Sequence, residues 1–246
     1  IMEPPPTLSS KWPTSLEKMR VRHIKTLRAP FHLPRAWDET SKDDHFGKLY
    51  ADLTPARRTA KLREVMTDLR HPALEPRYSD VLYRMATSGF YIGPNKQRGT
   101  EAHCKRCAGK GNTNAADTPE TLEHAYAECG EVAHLWRLVT TAWNTNMEQQ
   151  LDPSDLRLRL LGDRGEHKCG ANEEAWRVVH AATAFTIHTT RTQQHSGGEY
   201  PRARLMLREV KKRVEEAARR RLAKQKAAGN MQDFRRAWHD SGAATH

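Results

Sequence analysis

Three of the four cysteines in this chain lie within one short window, and a histidine lies among them. Read in order, the window is Cys-x2-Cys, sixteen intervening residues and then His-x4-Cys, formed by Cys104, Cys107, His124 and Cys129. A close cysteine pair offers two thiolates to one ion, and a second close pair of ligands completes a tetrahedron. The spacing predicts a closed, structural zinc site rather than a catalytic one. Ordinary buried thiols with a histidine nearby by chance are the alternative.

Composition bounds the architecture around this window. Only 37% of the 246 residues are hydrophobic, which favours modest helical modules joined by polar connections over one large core. No apolar run reaches about 18 residues, so we expect no transmembrane helix. The first residues, 1–6, lack the features of a signal peptide, and the absence of Met at position 1 suggests a piece of a longer product. Cysteines in a metal-binding pattern favour a reducing compartment, so we expect an intracellular protein of the nucleus or cytoplasm.

The chain divides into three predicted regions. Residues 1–50 are proline-rich and irregular in signal, with one short helix over 15–27. Residues 51–195 are predicted to be helical, with a zinc knuckle at about 100–145, and residues 196–246 form a basic helical tail. The fold class is therefore mainly α: small helical modules around a Cys3His knuckle, with a basic C-terminal helix. Predicted helix starts are Thr54-Pro55, Ser79 and Asn172.

The helix that carries His124 imposes a geometric condition on the site. Thr118-Pro119-Glu120 is predicted to open this helix. Residues five apart on an ideal α-helix lie about 140° apart around the axis, so His124 and Cys129 could not both face one ion from it. We therefore expect Cys129 just past the helix end, with Gly130 permitting the turn. An apolar stripe follows on a helix of about 130–145, comprising Val132, Leu135, Trp136, Val139 and Trp143.

Positive charge is concentrated near the C-terminus. The net charge is +11, and the segment 201–226 alone holds eleven Lys and Arg against three Glu. Such a segment favours a polyanionic partner, RNA or DNA, by contacts to phosphates. We expect no membrane partner. The candidate phosphate contacts on the knuckle and the tail are Lys105, Arg106, Lys110, Lys211, Lys212, Arg213, Arg219, Arg220 and Arg221.

The phrases around the ligands resemble the reverse-transcriptase zinc-binding region near the C-terminus of non-LTR retrotransposon polyproteins. The shared pattern is Cys104-x2-Cys107, then Glu120-Thr121-Leu122-Glu123-His124-x4-Cys129, then Leu135-Trp136 and Trp143. Upstream, the segment 82–89 resembles the helix and turn before the knuckle. Downstream, Ile187-His188-Thr189-Thr190-Arg191 is similar to an Ile-Trp-x-x-Arg ending, with His188 in place of Trp. The resemblance covers about residues 75–192 and is sharpest over 104–143.

The resemblance implies a region that follows a polymerase rather than a polymerase itself. The gap between Cys107 and His124 is longer than in many members, and the polymerase palm is absent. The expected function is therefore nucleic-acid binding without catalysis, with a parent polyprotein or an element RNA as partner. The oligomeric state is left open.

Two other function classes remain open. Leu207, Val210, Val214 and Ala217 lie at coiled-coil-like spacing on the basic helix, which would suit a protein-interaction or assembly module. A nuclease would have to draw its metal-binding groups from His167, Lys168 and Cys169 or from the acidic cluster at 38–44. His103 and Cys169 are alternative zinc ligands. The sequence contains no recognised catalytic motif in a supporting context, so we expect no enzyme.

Overall fold

Helices account for most of the structure, a computed structural model that describes residues 45–87, 89–90, 104–108, 120–147, 149–165, 172–195, 200–229 and 232. All of these fall within one compact unit spanning 43–246. They contain no β-strand, so the mainly-α prediction is confirmed. The helix expected over 15–27 lies outside the described residues. In the described part of the chain, no helix has the length and apolar character needed to cross a bilayer.

The chain forms eight α-helices and one π-helical turn in these described ranges. In order, they are α1 His45–Leu49, α2 Pro55–Asp68, α3 Pro76–Ala86, α4 Lys105–Ala108, the π turn His124–Glu128, α5 Gly130–Met147, α6 Leu156–Leu161, α7 Glu173–His195 and α8 Ala203–Ala227. Residues 45–49 lie in the segment predicted to be irregular but are helical. The side chains of Phe46 and Tyr50 are buried there.

Of the predicted N-caps of α2 and α3, the first is confirmed and the second is wrong. Thr54 caps α2 as predicted, because its hydroxyl accepts a hydrogen bond from the Arg57 backbone N–H and proline occupies the first turn. The predicted cap at Ser79 is wrong, because α3 already begins at Pro76. Proline at the first helical position has the φ a helix needs, so the helix starts one turn earlier than the serine suggests.

Helix α7 is the central element of the bundle. It packs against α3 and α8, and α8 also packs against α5. The apolar stripe predicted on α5 is buried in this core, where Leu135 and Trp136 have no exposed surface. Helix α6 packs against α3 and against the π turn, and the π turn also contacts α5 and α7. The π turn is therefore attached to the bundle on several sides.

The basic helix α8 is an integral part of this bundle. The apolar positions predicted for a partner helix are buried or half-buried, and they pack in the same core as α5 and α7. Val210 and Ala217 are fully buried, while Leu207 and Val214 are partly buried. The cations of α8 are therefore carried on a helix whose apolar face is already used.

Candidate metal centre and cationic surface

The structure brings the four predicted ligands into one cluster. One ligand atom from each of Cys104, Cys107, His124 and Cys129 lies within 4.8 Å of the others. The Cys129 Sγ atom is 3.9 Å from each of the other two sulfur atoms, and the Cys107 Sγ is 3.4 Å from the His124 Nε2. A tetrahedral ion with bonds of about 2.3 Å to sulfur separates its ligand sulfurs by about 3.8 Å. The cluster could therefore hold a tetrahedral metal ion such as zinc.

Helix α4 presents the first two ligands. Cys104 lies immediately before this four-residue helix and Cys107 lies within it, and the Cys107 backbone N–H donates to the Cys104 carbonyl oxygen at 3.1 Å. A single turn therefore brings the two thiols together. Cys104 is buried and Cys107 is half-buried, so the pair faces the interior.

The π turn presents the other two ligands, and it meets the geometric condition set by their spacing. Cys129 follows the turn directly, and its N–H donates to the His124 carbonyl oxygen at 2.8 Å, a bond between residues five apart. Such bonding places residues five apart about one turn from each other, on one side of the turn. The position of Cys129 past the helix end is confirmed.

The prediction that Gly130 permits the turn after Cys129 is wrong. Gly130 is already the first residue of α5, and it is not among the glycines with positive φ. The chain turns at Cys129, whose ψ of 131° is extended. A Cβ atom at position 130 would meet no other atom within 4 Å, so the position does not require glycine for space.

Hydrogen bonds attach the π turn to the bundle. The Trp136 indole N–H donates to the Tyr126 carbonyl oxygen at 2.8 Å, and the Tyr126 ring stacks on Phe90 with centroids 4.9 Å apart. The Thr121 hydroxyl accepts from the His124 backbone N–H at 3.0 Å. The Trp136 side chain thus supports the metal ligands by holding the backbone between them.

A buried ion pair forms a second attachment. The Arg191 Nε lies 3.0 Å from the Glu120 Oε1, and their side chains are only 8% and 6% exposed. Glu120 precedes the π turn and Arg191 lies on α7, so the pair joins the ligand segment to the central helix. Both residues belong to the phrases on which the retrotransposon resemblance rests.

The thiols of the cluster favour a bound cation. The hydrogen bond with Cys129 lowers the pKa of the Cys104 thiol. The same contact, together with burial, raises the pKa of Cys129, and burial raises the pKa of Cys107. The cluster by itself therefore stabilises one thiolate and keeps its neighbours protonated. A divalent cation removes this conflict because it favours the thiolate form of all three ligands.

The predicted nucleic-acid contacts fall into two groups. Lys211, Lys212 and Arg219 are exposed on α8. Arg106 is only 7% exposed, with its guanidinium 3.9 Å from the centre of the Tyr200 ring, so it packs inside the protein. Lys110 and the side chain of Lys105 lie outside the described residues.

Three of the predicted α8 contacts have partners on other elements of the bundle, while Arg219 pairs with Glu215 of α8 itself at 3.5 Å. Arg221 makes two hydrogen bonds of 2.9 Å to the Glu174 carboxylate. Arg220 pairs with Glu75, and Arg213 lies against the Phe185 ring and near Glu209. These guanidinium groups tie α8 to the bundle. This use of the cations could not be predicted from their number.

Two exposed cations of α8, Arg204 and Arg208, were not predicted as site residues. They extend a row on the solvent-facing side of α8 that comprises Arg204, Arg208, Lys212 and Arg219. These positions are separated by four, four and seven residues, so they share one face, opposite the buried Val210 and Ala217. We call them the cationic row. Helical periodicity measured from the apolar stripe would have identified the two arginines.

The remaining candidates cannot be placed. The acidic cluster at 38–44, the segment 167–169 and His103 lie outside the described residues. Within the described ranges, the Cys3His cluster is the one grouping of potential metal ligands. No protein-family model, no curated protein and no solved structure matches this chain.

Proposed function

We propose that this protein is a zinc-stabilised nucleic-acid-binding region of a retroelement-type, reverse-transcriptase-associated protein. It has no catalytic activity of its own and acts in the nucleus or cytoplasm, where a reducing environment keeps the thiolates available to zinc. RNA or DNA is bound through phosphates. Zinc is held by Cys104, Cys107, His124 and Cys129 and serves structure alone.

The cationic row is the observation that carries this proposal. The first and last of its four cations are fifteen positions apart on α8, which is about 22 Å along the helix. Lys212 of this row and its neighbour Lys211 are exposed and form no ion pair with any described residue. Because the opposite face of α8 is buried, the helix presents these charges in a fixed arrangement. Phosphate contacts of this kind give affinity without reading sequence.

The metal cluster supports the proposal by the placement of its four ligands. All four come together at separations that suit zinc, and the cluster packs on the same bundle that carries α8. A site with four protein ligands leaves no open position for a substrate. Zinc is therefore proposed to hold the π turn and α4 in place.

The resemblance to the retrotransposon region supports the choice of family. Its motifs are distant in sequence, yet Glu120 of the motif that contains His124 and Arg191 of the downstream motif form the buried ion pair. A partner-helix function is less favoured, because the apolar stripe that it would need packs inside the bundle.

The dependence of binding on salt tests the nucleic-acid part of the proposal. The affinity of the zinc-loaded protein for a single-stranded RNA of about 20 nucleotides is measured by fluorescence anisotropy from 50 to 300 mM salt. We expect a steep linear fall of log affinity with log salt, because binding releases counterions from the phosphates. A flat dependence would contradict the proposal.

Charge-matched variants locate the binding surface. The variant Lys211→Gln, Lys212→Gln should reduce the slope by about 0.7 per lost phosphate contact. Its folding free energy should change by less than about 0.5 kcal/mol, because both side chains are exposed. The control Arg57→Gln, Arg63→Gln removes two exposed charges from α2 and should leave the slope nearly unchanged. Equal effects from both variants would show that net charge, and not α8, governs binding.

A further inference from the structure

A cavity of about 600 Å³ opens where the metal-ligand segment meets the start of α8. Its lining comes from α4, from α5 and from the first residues of α8 with the segment before them: Arg106, Glu131, His134, Tyr200, Arg202, Ala203 and Arg204. This volume lies within the range of cavities that hold a small ligand. None of these residues is a metal ligand, so the cavity is distinct from the Cys3His cluster.

Arg106 is the buried cation of this cavity. Its Nη1 donates to the Ala125 carbonyl oxygen at 3.3 Å, and its guanidinium lies over the Tyr200 ring. Its Nη2 is buried and has no hydrogen-bond partner among the described residues. A guanidinium nitrogen left unpaired in a buried position is costly, so a bound anion that reached it would satisfy an unmet hydrogen-bond donor.

The N-terminus of α8 points to the same class of ligand. Helix N-termini attract anions because their first backbone N–H groups are unsatisfied and the helix dipole is positive there. Arg202 occupies the capping position without a side-chain cap, and the Ala203 N–H donates to the Glu131 carboxylate at 2.9 Å. The Glu131 carboxylate therefore satisfies one N–H group of this helix end.

The charges of the lining favour an anion with more than one negative charge. Three arginines face one carboxylate, which leaves an excess of two positive charges without counting His134. A terminal phosphate monoester carries about two negative charges, whereas a phosphate inside a strand carries one. Guanidinium groups also match the oxygens of a phosphate with paired hydrogen bonds.

The cavity lies at one end of the cationic row. Arg204 lines the cavity and is also the first residue of that row. We infer that this cavity binds the terminal phosphate of a nucleic-acid strand whose backbone lies along the cationic row. This inference rests on the proposed function and specifies the end of the strand that the protein would recognise.

Three versions of one 12-nucleotide RNA test the inference: one with hydroxyl groups at both ends, one with a 5′-phosphate and one with a 3′-phosphate. We expect one phosphorylated version to bind about tenfold more tightly than the hydroxyl version, as charge-assisted hydrogen bonds to a new dianion would give. Equal affinities for all three versions, with binding retained, would overturn the inference alone. Absence of salt-dependent binding to any version would overturn the proposed function as well.

Variants of exposed residues test whether the preference for a terminal phosphate arises at the cavity. The change Arg202→Gln, Arg204→Gln should abolish the preference, and the protein should still fold, because both side chains are exposed. The change Lys211→Gln, Lys212→Gln should weaken all three RNAs by the same factor and keep the preference. If the second variant removes the preference as fully as the first, the preference arises from general charge, and the inference is wrong.

Discussion

The metal-ligand segments and the helical bundle that they pack on share one apolar core but differ in their use of polar groups. Residues 104–108 and 120–129 contribute side chains to that core, and their four ligand groups also lie at defined separations, including the 3.9 Å between sulfur atoms. The bundle of α3, α5, α7 and α8 is held by a continuous apolar core that contains Met85, Trp136 and Ile187. Loss of one ligand should therefore affect the first region far more than loss of one methyl group affects the second.

Removal of the metal should have the largest effect on the stability of the protein. In the variant Cys104→Ser, Cys107→Ser we expect loss of stoichiometric zinc and a fall in the unfolding free energy of at least about 5 kcal/mol, since zinc binding contributes directly to folding. Zinc content by mass spectrometry and thermal unfolding measure the two results.

The control for that variant is the fourth cysteine. Cys169→Ser should retain zinc and the melting temperature of the unmodified protein. Zinc loss in Cys169→Ser would contradict the assigned ligand set. An unchanged melting temperature in the double variant would contradict the structural role of the metal.

Loss of the buried ion pair between the ligand segment and the bundle should have the second-largest effect on stability. Arg191→Met removes the guanidinium that pairs with the buried Glu120 carboxylate, which we expect to cost about 3 kcal/mol in urea unfolding. The double variant Glu120→Gln, Arg191→Met should recover much of that loss, because neither residue then carries a charge.

A surface ion pair provides the control for this prediction. Arg84 and Asp80 are 3.1 Å apart with both side chains about half exposed, so Arg84→Met should cost less than about 1 kcal/mol. Equal losses for Arg191→Met and Arg84→Met would mean that the buried pair does not join the ligand segment to the bundle.

A buried histidine of the bundle should give a smaller, pH-dependent effect. The His180 Nε2 lies 3.0 Å from the Arg159 carbonyl oxygen, and burial lowers the pKa of His180 to about 4. The unfolded chain binds this proton near pH 6.5, so the stability from the neutral ring is complete above pH 6.5 and is lost as the pH falls toward 4. Between pH 7 and pH 5 we expect a loss of about 2 kcal/mol from this group.

The variant His180→Gln isolates that contribution. The free energy of unfolding is measured with urea at pH 7 and at pH 5. Its decrease from pH 7 to pH 5 should be about 2 kcal/mol smaller in the variant than in the unmodified protein. Protonation of the metal ligands contributes equally to both proteins, so it cancels in the comparison. An identical pH dependence in both proteins would contradict the assignment to His180.

Local patterns predicted much of the helical structure because they act over a few residues. Thr54 and Pro55 begin α2 as expected, and the apolar stripe of α5 is buried as its 3.6-residue period requires. The start of α3 was misjudged because Pro76 competes with Ser79 for the first turn. The π turn was not predicted. A shift of one residue in backbone hydrogen bonding leaves no local sequence signal, and the five-residue spacing of His124 and Cys129 predicted only that Cys129 lies past the helix end.

By itself, the sequence determined which four residues come together in the Cys3His cluster, the predominance of helix and the excess of positive charge. Cysteine spacing, apolar period and composition act locally, so each could be read without knowledge of distant contacts. Only the tertiary structure decided which cations are exposed. Arg106 is buried against Tyr200 and Arg221 is paired with Glu174, whereas Lys211 and Lys212 reach solvent. The physical reason is that Tyr200 and Glu174, which these two arginines contact, lie more than 45 positions away from them along the chain, and a charge count contains no information about such contacts.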